Sequence, residues 1–507
     1  MKIVSWRTVC ATAAAVALIP AGAEEFHVAT TADLVSRVQE ARPGDVIFLS
    51  ENVYDLTDVQ VSGFGAATSA SAHFAVSQLT LRAEPGVSRE RVVLRANGRR
   101  HFYLNKGFLS LSGVTLENGS AEKGGSVFLE NSDDSGLALT NCLFRGNRAT
   151  VQYGVLYCAS RGAQYARRPR TAYRCGFVDN ASGRDAGVGQ VAQVAFEECG
   201  FTNNAAASSH SAVIGGCRYV RCAFVGNRGR PLFSRGEWDA ATAFDACRFE
   251  RNAGTLMDVS KPGLSWTNCA FVGNRADGSL FTGSQPATMT GCDYSGNVST
   301  NGQFLSGEIT WRRCRISGNE SLNGSGMRNG TFLSCLIVSN AAGGTHNNSA
   351  FAETGRFCNC TLADNVKNAR RYRSLLGTQA VAVNTVFVGN RPEILKEDSH
   401  EDSFFVMSNC VWSAQTMTND SVRAWLAKHG MTGRLMSPEA MRFDPATSEL
   451  LVPRSSSPLR DSGWSDAAYG ALIGDRDFRN RPRVALKGLD IGCNEVQGVP
   501  GLCIWVR

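Results

Sequence analysis

The sequence predicts an all-β chain wound as a right-handed parallel β-helix, and three observations carry that prediction. A motif of one cysteine, one aromatic and one asparagine recurs, as in "NCLFRGNRA" at 141–149, "RCAFVGNRG" at 221–229 and "NCAFVGNRA" at 268–276. Its cysteine position falls at Cys142, Cys175, Cys199, Cys222, Cys247, Cys269, Cys292, Cys314, Cys335, Cys360, Thr385 and Cys410, with intervals of 33, 24, 23, 25, 22, 23, 22, 21, 25, 25 and 25 residues. A period in the low twenties is that of a solenoid whose repeats are single supersecondary units. The third observation is compositional: 52 glycines among 507 residues, with few long helical patterns, argue against a bundle or a doubly wound sheet.

The elements follow in order. Residues 1–23 read as an export signal, with Lys2 and Arg7 ahead of the apolar run "VCATAAAVALIP" and the small residues Ala21-Gly22-Ala23 at a cleavage site. Its removal takes two positive charges, so the formal +7 becomes +5. That mild excess, spread over the whole chain, points away from nucleic acid and toward acidic extracellular polymers. No later stretch reaches the roughly 20 apolar residues of a spanning helix. The expected product is secreted, periplasmic or at the cell surface.

Residues 24–110 are expected to form the N-terminal cap and first coils. Thr30 or Thr31 caps a helix with Leu34, Val35, Val38 and Ala41 on one face, Pro43-Gly44-Asp45 ends it, and "VIFL" begins a strand. A solenoid must cover its open end, and this helix is placed to do so. Residues 111–410 are the repetitive coils. Two residues beyond each cysteine position stands a large apolar residue, from Phe144 to Trp412, and the residue between tolerates charge, as at Arg248 and Asp293. This alternation is the period of a strand, with cysteine and aromatic inward and the middle residue outward. Five residues beyond the cysteine stands Asn147, Asn180, Asn204, Asn227, Asn252, Asn274, Asn297, Asn319, Asn340, Asn365 or Asn390. Asparagine tolerates the left-handed conformation of a sharp corner, and its amide can bond the same amide one coil away, so a ladder is expected. Three short strands per coil fit the period. Residues 411–507, with one helix from Asp420 to Gly430 and irregular strands, are the closing cap.

Cysteines stacked in register point in parallel rather than at each other, so the ladder thiols are expected to be free and buried. The better disulfide candidate is Cys493 with Cys503, outside the ladder. The pattern lacks paired C-x-x-C spacing, so no metal site is expected.

The opening "ADLVSRVQEARPGDVIFL" resembles the first coil of pectin-lyase-like right-handed β-helices, alginate lyases and chondroitinase B among them. In the repetitive middle, seven Phe-x-x-Asn matches from Phe144 to Phe387 and Gly124-Gly125-Ser126-Val127 resemble the repeats of chlamydial polymorphic outer-membrane proteins, and "DIGCNE" at 490–495 is similar to the closing motif of many bacterial β-helix proteins. The first resemblance implies a polysaccharide lyase and the second a surface adhesin exported by its own membrane barrel, for which residues 411–507 are too short and too weakly alternating.

Two groups of residues are candidates for chemistry. Lys261 and Asp239 each lie eight residues before a motif cysteine, hence on neighbouring coils, with Arg235, Glu237 and Asp258 near them. If the protein is a lyase, Lys261, Arg235 and Asp239 are its catalytic residues and Ca2+ its cofactor, because β-elimination needs a base and a cation to neutralise the uronate. The plainer reading is a surface ion-pair cluster. The longest interval holds "RGAQYARRPRTAYR", where Tyr165, Arg167, Arg168, Arg170 and Tyr173 could pair with anionic groups and stack on sugar rings. The expected function is therefore an exported, non-catalytic, adhesin-like β-helix that binds an acidic polysaccharide or cell-surface glycan. A polysaccharide lyase acting on alginate- or chondroitin-type polymers and a purely structural scaffold are the alternatives.

Overall fold

The structure, a computed structural model, describes residues 23–59, 72–158, 168–191, 193–207, 213–214, 217–229, 232–234, 241–260, 262–343, 351–367, 375–377, 379–391, 406–413, 419–428, 430–447, 450–463, 476–483 and 489–495. The chain is a parallel β-helix: neighbouring strands of each sheet come from successive coils. The strand that follows each motif cysteine, from Leu143–Arg145 to Cys410–Trp412, belongs to one sheet of 16 strands in unbroken chain order, called here the cysteine sheet. Its register aligns the motif: Phe144 pairs with Phe177, Phe177 with Phe201 and Phe201 with Phe224.

At the N-terminal end the helix Thr31–Glu40 starts where the Thr30 side chain accepts the Asp33 N–H at 3.1 Å, and it buries Leu34 and Val38 on the first coil. At the other end the helix Asn419–Lys428 buries Leu426 in the same core. Among the described residues no helix is long and apolar enough to cross a membrane.

The asparagine ladder is continuous from Asn147 to Asn390. Each Nδ2 donates to the next Oδ1 at 2.8–3.1 Å. That same oxygen accepts the main-chain N–H of the asparagine one coil earlier, as Asn297 does from Asn274 at 3.0 Å. The left-handed corner, however, is not at the asparagine. It lies one residue before, at Gly146, Asp179, Asn203 or Gly273, and a second one lies just before the cysteine, at Asn141, Arg174 or Asn268. Two left-handed residues therefore bracket each three-residue strand, and the asparagine's task is hydrogen bonding.

The coil also has four strands rather than three. The run Gly176–Val178, Ala181–Ser182, Gly189–Val191 and Ala195–Glu197 shows why: the stretch between asparagine and next cysteine bends at Gln193, φ 57°, and splits in two. In the first coils the same two segments merge into the long strands Arg100–Ser112 and Val127–Thr140.

The bore holds the expected aromatic stack, with ring centroids 4.6–5.1 Å apart from Phe144 through Phe271. It also holds a second stack, Phe196, Tyr219, Phe244 and Trp266, packed edge-on against the first. Most ladder thiols lie within reach of two carbonyls, for example Cys247 of Tyr219 and Asp245 at 3.4 Å. The fifteen described cysteines are all free and buried, Cys493 included; Cys503 lies outside the described residues.

The C-terminal segment does more than close the end. It folds back along the outer face of the cysteine sheet, so that Met441, Leu459 and Ile491 cover Ala363, Val386, Val388 and Val411. Middle residues that would otherwise face solvent, Leu336, Thr361, Val386 and Val411, are thereby buried. Gly492 lies so close to the sheet that a Cβ there would sit 3.0 Å from Thr361 Oγ1. This contact is what the "DIGCNE" motif builds.

Two measurements check this core. Asn274→Leu removes the acceptor for Asn252 and the donors to Phe249 and Asn297, and should lower the unfolding free energy by about 1–3 kcal/mol, whereas Arg275→Ala at the exposed neighbour should stay within about 0.5 kcal/mol. Equal shifts in denaturant midpoint would contradict the ladder. Thiol titration should find the described cysteines unreactive in native protein and all fifteen reactive after denaturation without reductant; recovering two or fewer would contradict the free-thiol core.

Candidate functional site

The fold-back creates a cleft of about 400 Å³ between the cysteine sheet and a tight turn of the C-terminal segment. Its floor comes from three successive coils. Asn268, Gly291 and Arg313 occupy the left-handed corner before the cysteine, and Asp293 and Arg315 are outward middle residues paired in register. The opposite wall is Phe478, Arg479 and Asn480. This turn is closed by the main-chain bonds Asp477 N–H to Arg481 O at 2.8 Å and Asn480 N–H to Asp477 O at 3.0 Å, and Phe478 N–H ties it to Cys493 O at 2.8 Å.

The cleft carries three guanidinium groups and one carboxylate. Arg315 Nε and Asp293 Oδ1 are buried and make no hydrogen bond within the protein. Arginines presenting planar donor forks beside an aromatic ring can pair with a carboxylate or sulfate and stack a sugar face. A single carboxylate among three guanidiniums does not suit a calcium ion, which takes six to eight oxygen ligands. Nor do the described residues contain any group of three or more His, Cys, Asp or Glu placed to hold a metal.

The residues singled out from sequence are distributed differently. Lys261, Arg235 and Asp239 lie outside the described residues, as do Tyr165 and Arg167. Asp258 is half-buried and accepts from Ser260 N–H and Oγ–H, a local turn contact. Arg168 is exposed at the base of its loop. Arg170 is a correction: only 2% of it is accessible, and it donates to the main-chain carbonyls of Ser135 and Cys158 at 3.2 Å, so its guanidinium is committed to the coil and not presented to a glycan. Tyr173 is half-buried under the Arg174 guanidinium, 4.9 Å from its ring, while Arg174 pairs with Glu198 at 2.8 Å. The cleft itself was missed. Arg313 and Arg315 stand at corner and middle positions readable from the motif, but nothing in the sequence places Phe478 beside them.

No protein-family model and no curated protein matches the chain, so the likeness to chlamydial repeats is one of motif. Among solved structures it is similar to the PL6 family alginate lyase AlyGC, at 12% identity over 85% of this chain and 55% of that one, TM-score 0.41. A mannuronic acid specific polysaccharide family 6 lyase from human gut microbiota gives 11% identity over 84% and 93%, TM-score 0.34. Pectate lyase Pel9A gives 11% over 93% and 96%, TM-score 0.24. The chain spans about half the length of the first of these. The assignment of the fold rests on the strand pairing described above.

The two loop arginines provide a check. Arg170→Met should destabilise the protein by about 1–3 kcal/mol by orphaning two buried carbonyls, while Arg168→Ala should change stability by less than about 0.5 kcal/mol. Thermal melts of the two variants separate the anchor from the exposed residue.

Proposed function

We propose that the protein is an exported β-helix that binds an acidic polysaccharide without cleaving it. The observation that carries this reading is the cleft between coils 268–315 and residues 478–480, with three arginines and one aromatic ring. A polymer bearing carboxylate or sulfate groups satisfies the guanidiniums, and Phe478 supplies an apolar face for a ring. The rigid coil holds these groups in place, which lowers the ordering cost of binding. Arg168, with Tyr165, Arg167 and Tyr173 of the long loop, is a second contact for the same polymer class. The candidate residues of the lyase alternative, Lys261, Arg235 and Asp239, lie outside the described residues.

Affinity electrophoresis against pectate, alginate, chondroitin sulfate and a neutral glucan tests the proposal. Retardation is expected in at least one acidic gel and not in the neutral one, and it should weaken as salt shortens the reach of the charges. The triple variant Arg313→Ala, Arg315→Ala, Arg479→Ala should lose at least about tenfold in affinity, the scale of one or two charge-assisted hydrogen bonds. Growth of ultraviolet absorbance from unsaturated uronic ends would establish the lyase instead. No binding to any acidic polymer would leave the scaffold.

A further inference from the structure

The corner row that floors the cleft continues one coil further. Asn268, Gly291 and Arg313 line the cleft, and the next rung is Ser334, also left-handed at φ 54° and only 2% accessible. Its hydroxyl meets both ends of the turn that forms the opposite wall. Arg483, buried, donates to Ser334 Oγ through Nη2, and Ser334 Oγ–H donates to Arg476 O at 3.5 Å. The two ends of the turn lie side by side, since Arg476 pairs with Pro482 in an antiparallel bridge. Arg483 also donates to Gly492 O at 3.2 Å and to Cys493 O at 3.4 Å, which ties the turn to residues 489–495. Those residues have their own anchors on the coils: Cys493 N–H to Thr361 Oγ1 at 3.1 Å, Gly492 N–H to Asn384 O at 2.9 Å and Asn359 Nδ2 to Asp490 O at 3.3 Å. Among the described residues, by contrast, every hydrogen bond between the turn 476–483 and the coils passes through Ser334 Oγ.

We propose that Ser334 is the positioning residue of the cleft: its hydroxyl clasps both ends of the turn 476–483 and thereby sets Phe478 and Arg479 against Arg313 and Arg315. A hydroxyl suits the task because it accepts one hydrogen bond and donates another at the same time. The bond from Arg483 is charge-assisted and hence the stronger of the two. Without the hydroxyl the turn keeps its internal closure, Asp477 N–H to Arg481 O and Asn480 N–H to Asp477 O, but among the described residues it is then joined to the molecule only through 489–495. It is free to pivot away from the floor. A pivoting wall presents Arg479 and Phe478 over a range of positions, and a ligand has to order them as it binds. For its effect on binding, the inference rests on the glycan reading of the cleft; the clasp itself does not.

Hydrogen exchange of the full-length protein without ligand reads the clasp directly. In Ser334→Gly, which removes the hydroxyl and suits the left-handed corner, the Phe478 and Asn480 amides should lose about tenfold in protection while the asparagine-ladder amides keep theirs. A serine that served only to turn the corner would leave protection unchanged or raise it. Arg483→Lys keeps the buried charge, gives up the planar fork and should loosen the same amides, so the test survives a Ser334 variant that does not fold. Wall protection retained in either variant would overturn the proposal. In the pectate, alginate and chondroitin sulfate gels, Ser334→Gly should weaken retardation about tenfold, the scale of one charge-assisted hydrogen bond. The same loss is expected in an Arg313→Ala background, but less than about twofold with Phe478→Ala and Arg479→Ala together, because the clasp acts through the wall. Equal losses in the two backgrounds would overturn the positioning role. A wall that loosens in a protein that binds none of the three polymers would refute the glycan reading and leave the clasp.

Discussion

Everything in this molecule depends on the in-register stacking of like residues at the strand spacing of about 4.8 Å. A coil with sharp left-handed corners turns main-chain N–H groups inward, where an unpaired donor costs about 1–3 kcal/mol. The asparagine row answers that constraint coil by coil. One Oδ1 accepts both the side-chain and the main-chain N–H of the coil before, as Asn180 does for Asn147 at 3.1 and 2.9 Å. Each amide also donates to the carbonyl of the large apolar residue one coil earlier, Asn180 to Phe144 at 3.0 Å and Asn340 to Ile316 at 2.9 Å. The solution works only if every coil repeats it, which is why the motif recurs so closely.

The cysteine position obeys a related rule. The coil requires there a small side chain with a donor that reaches the carbonyl two residues before and one on the coil beneath. Cysteine meets it weakly, as at Cys410, whose thiol reaches Ser408 O at 3.5 Å and Ala382 O at 3.3 Å. Thr385, the one exception, meets it with a hydroxyl at 2.9 and 3.1 Å to Val383 and Phe357. The thiols are therefore packing elements with a hydrogen-bonding duty, and their burial keeps them from reactive roles.

With the interior committed to repetition, individuality is confined to the outer face. Corner and middle positions carry arginine, aspartate, glycine or leucine without disturbing the stack. Where the C-terminal segment lies on them they become apolar and buried, as at Leu336 and Val411. Just beyond its reach, Asp293, Arg313 and Arg315 stay polar and line the cleft. The boundary between covered and uncovered coils is where a site can form, because there a rigid floor meets a wall built from a distant part of the chain.

The sequence by itself determined the coil: the period, the inward cysteine and aromatic, the asparagine row and both terminal helices could all be read from residues 24–430, because a stacked fold writes each contact again every coil. The second aromatic stack is equally periodic in the sequence, three residues before the cysteine at Phe196, Tyr219, Phe244 and Trp266. Splitting of the coil into four strands depended on a corner at Gln193 that has no signature residue. The role of Arg170 turned on whether its side chain pointed into the coil, where it meets the carbonyls of Ser135 and Cys158, which spacing does not encode. The return of residues 476–483 and 489–495 to the outer face, which sets Phe478 and Arg479 against Arg313 and Arg315, was decided in three dimensions alone, since that contact occurs once, between segments of unrelated pattern, and nothing periodic records it.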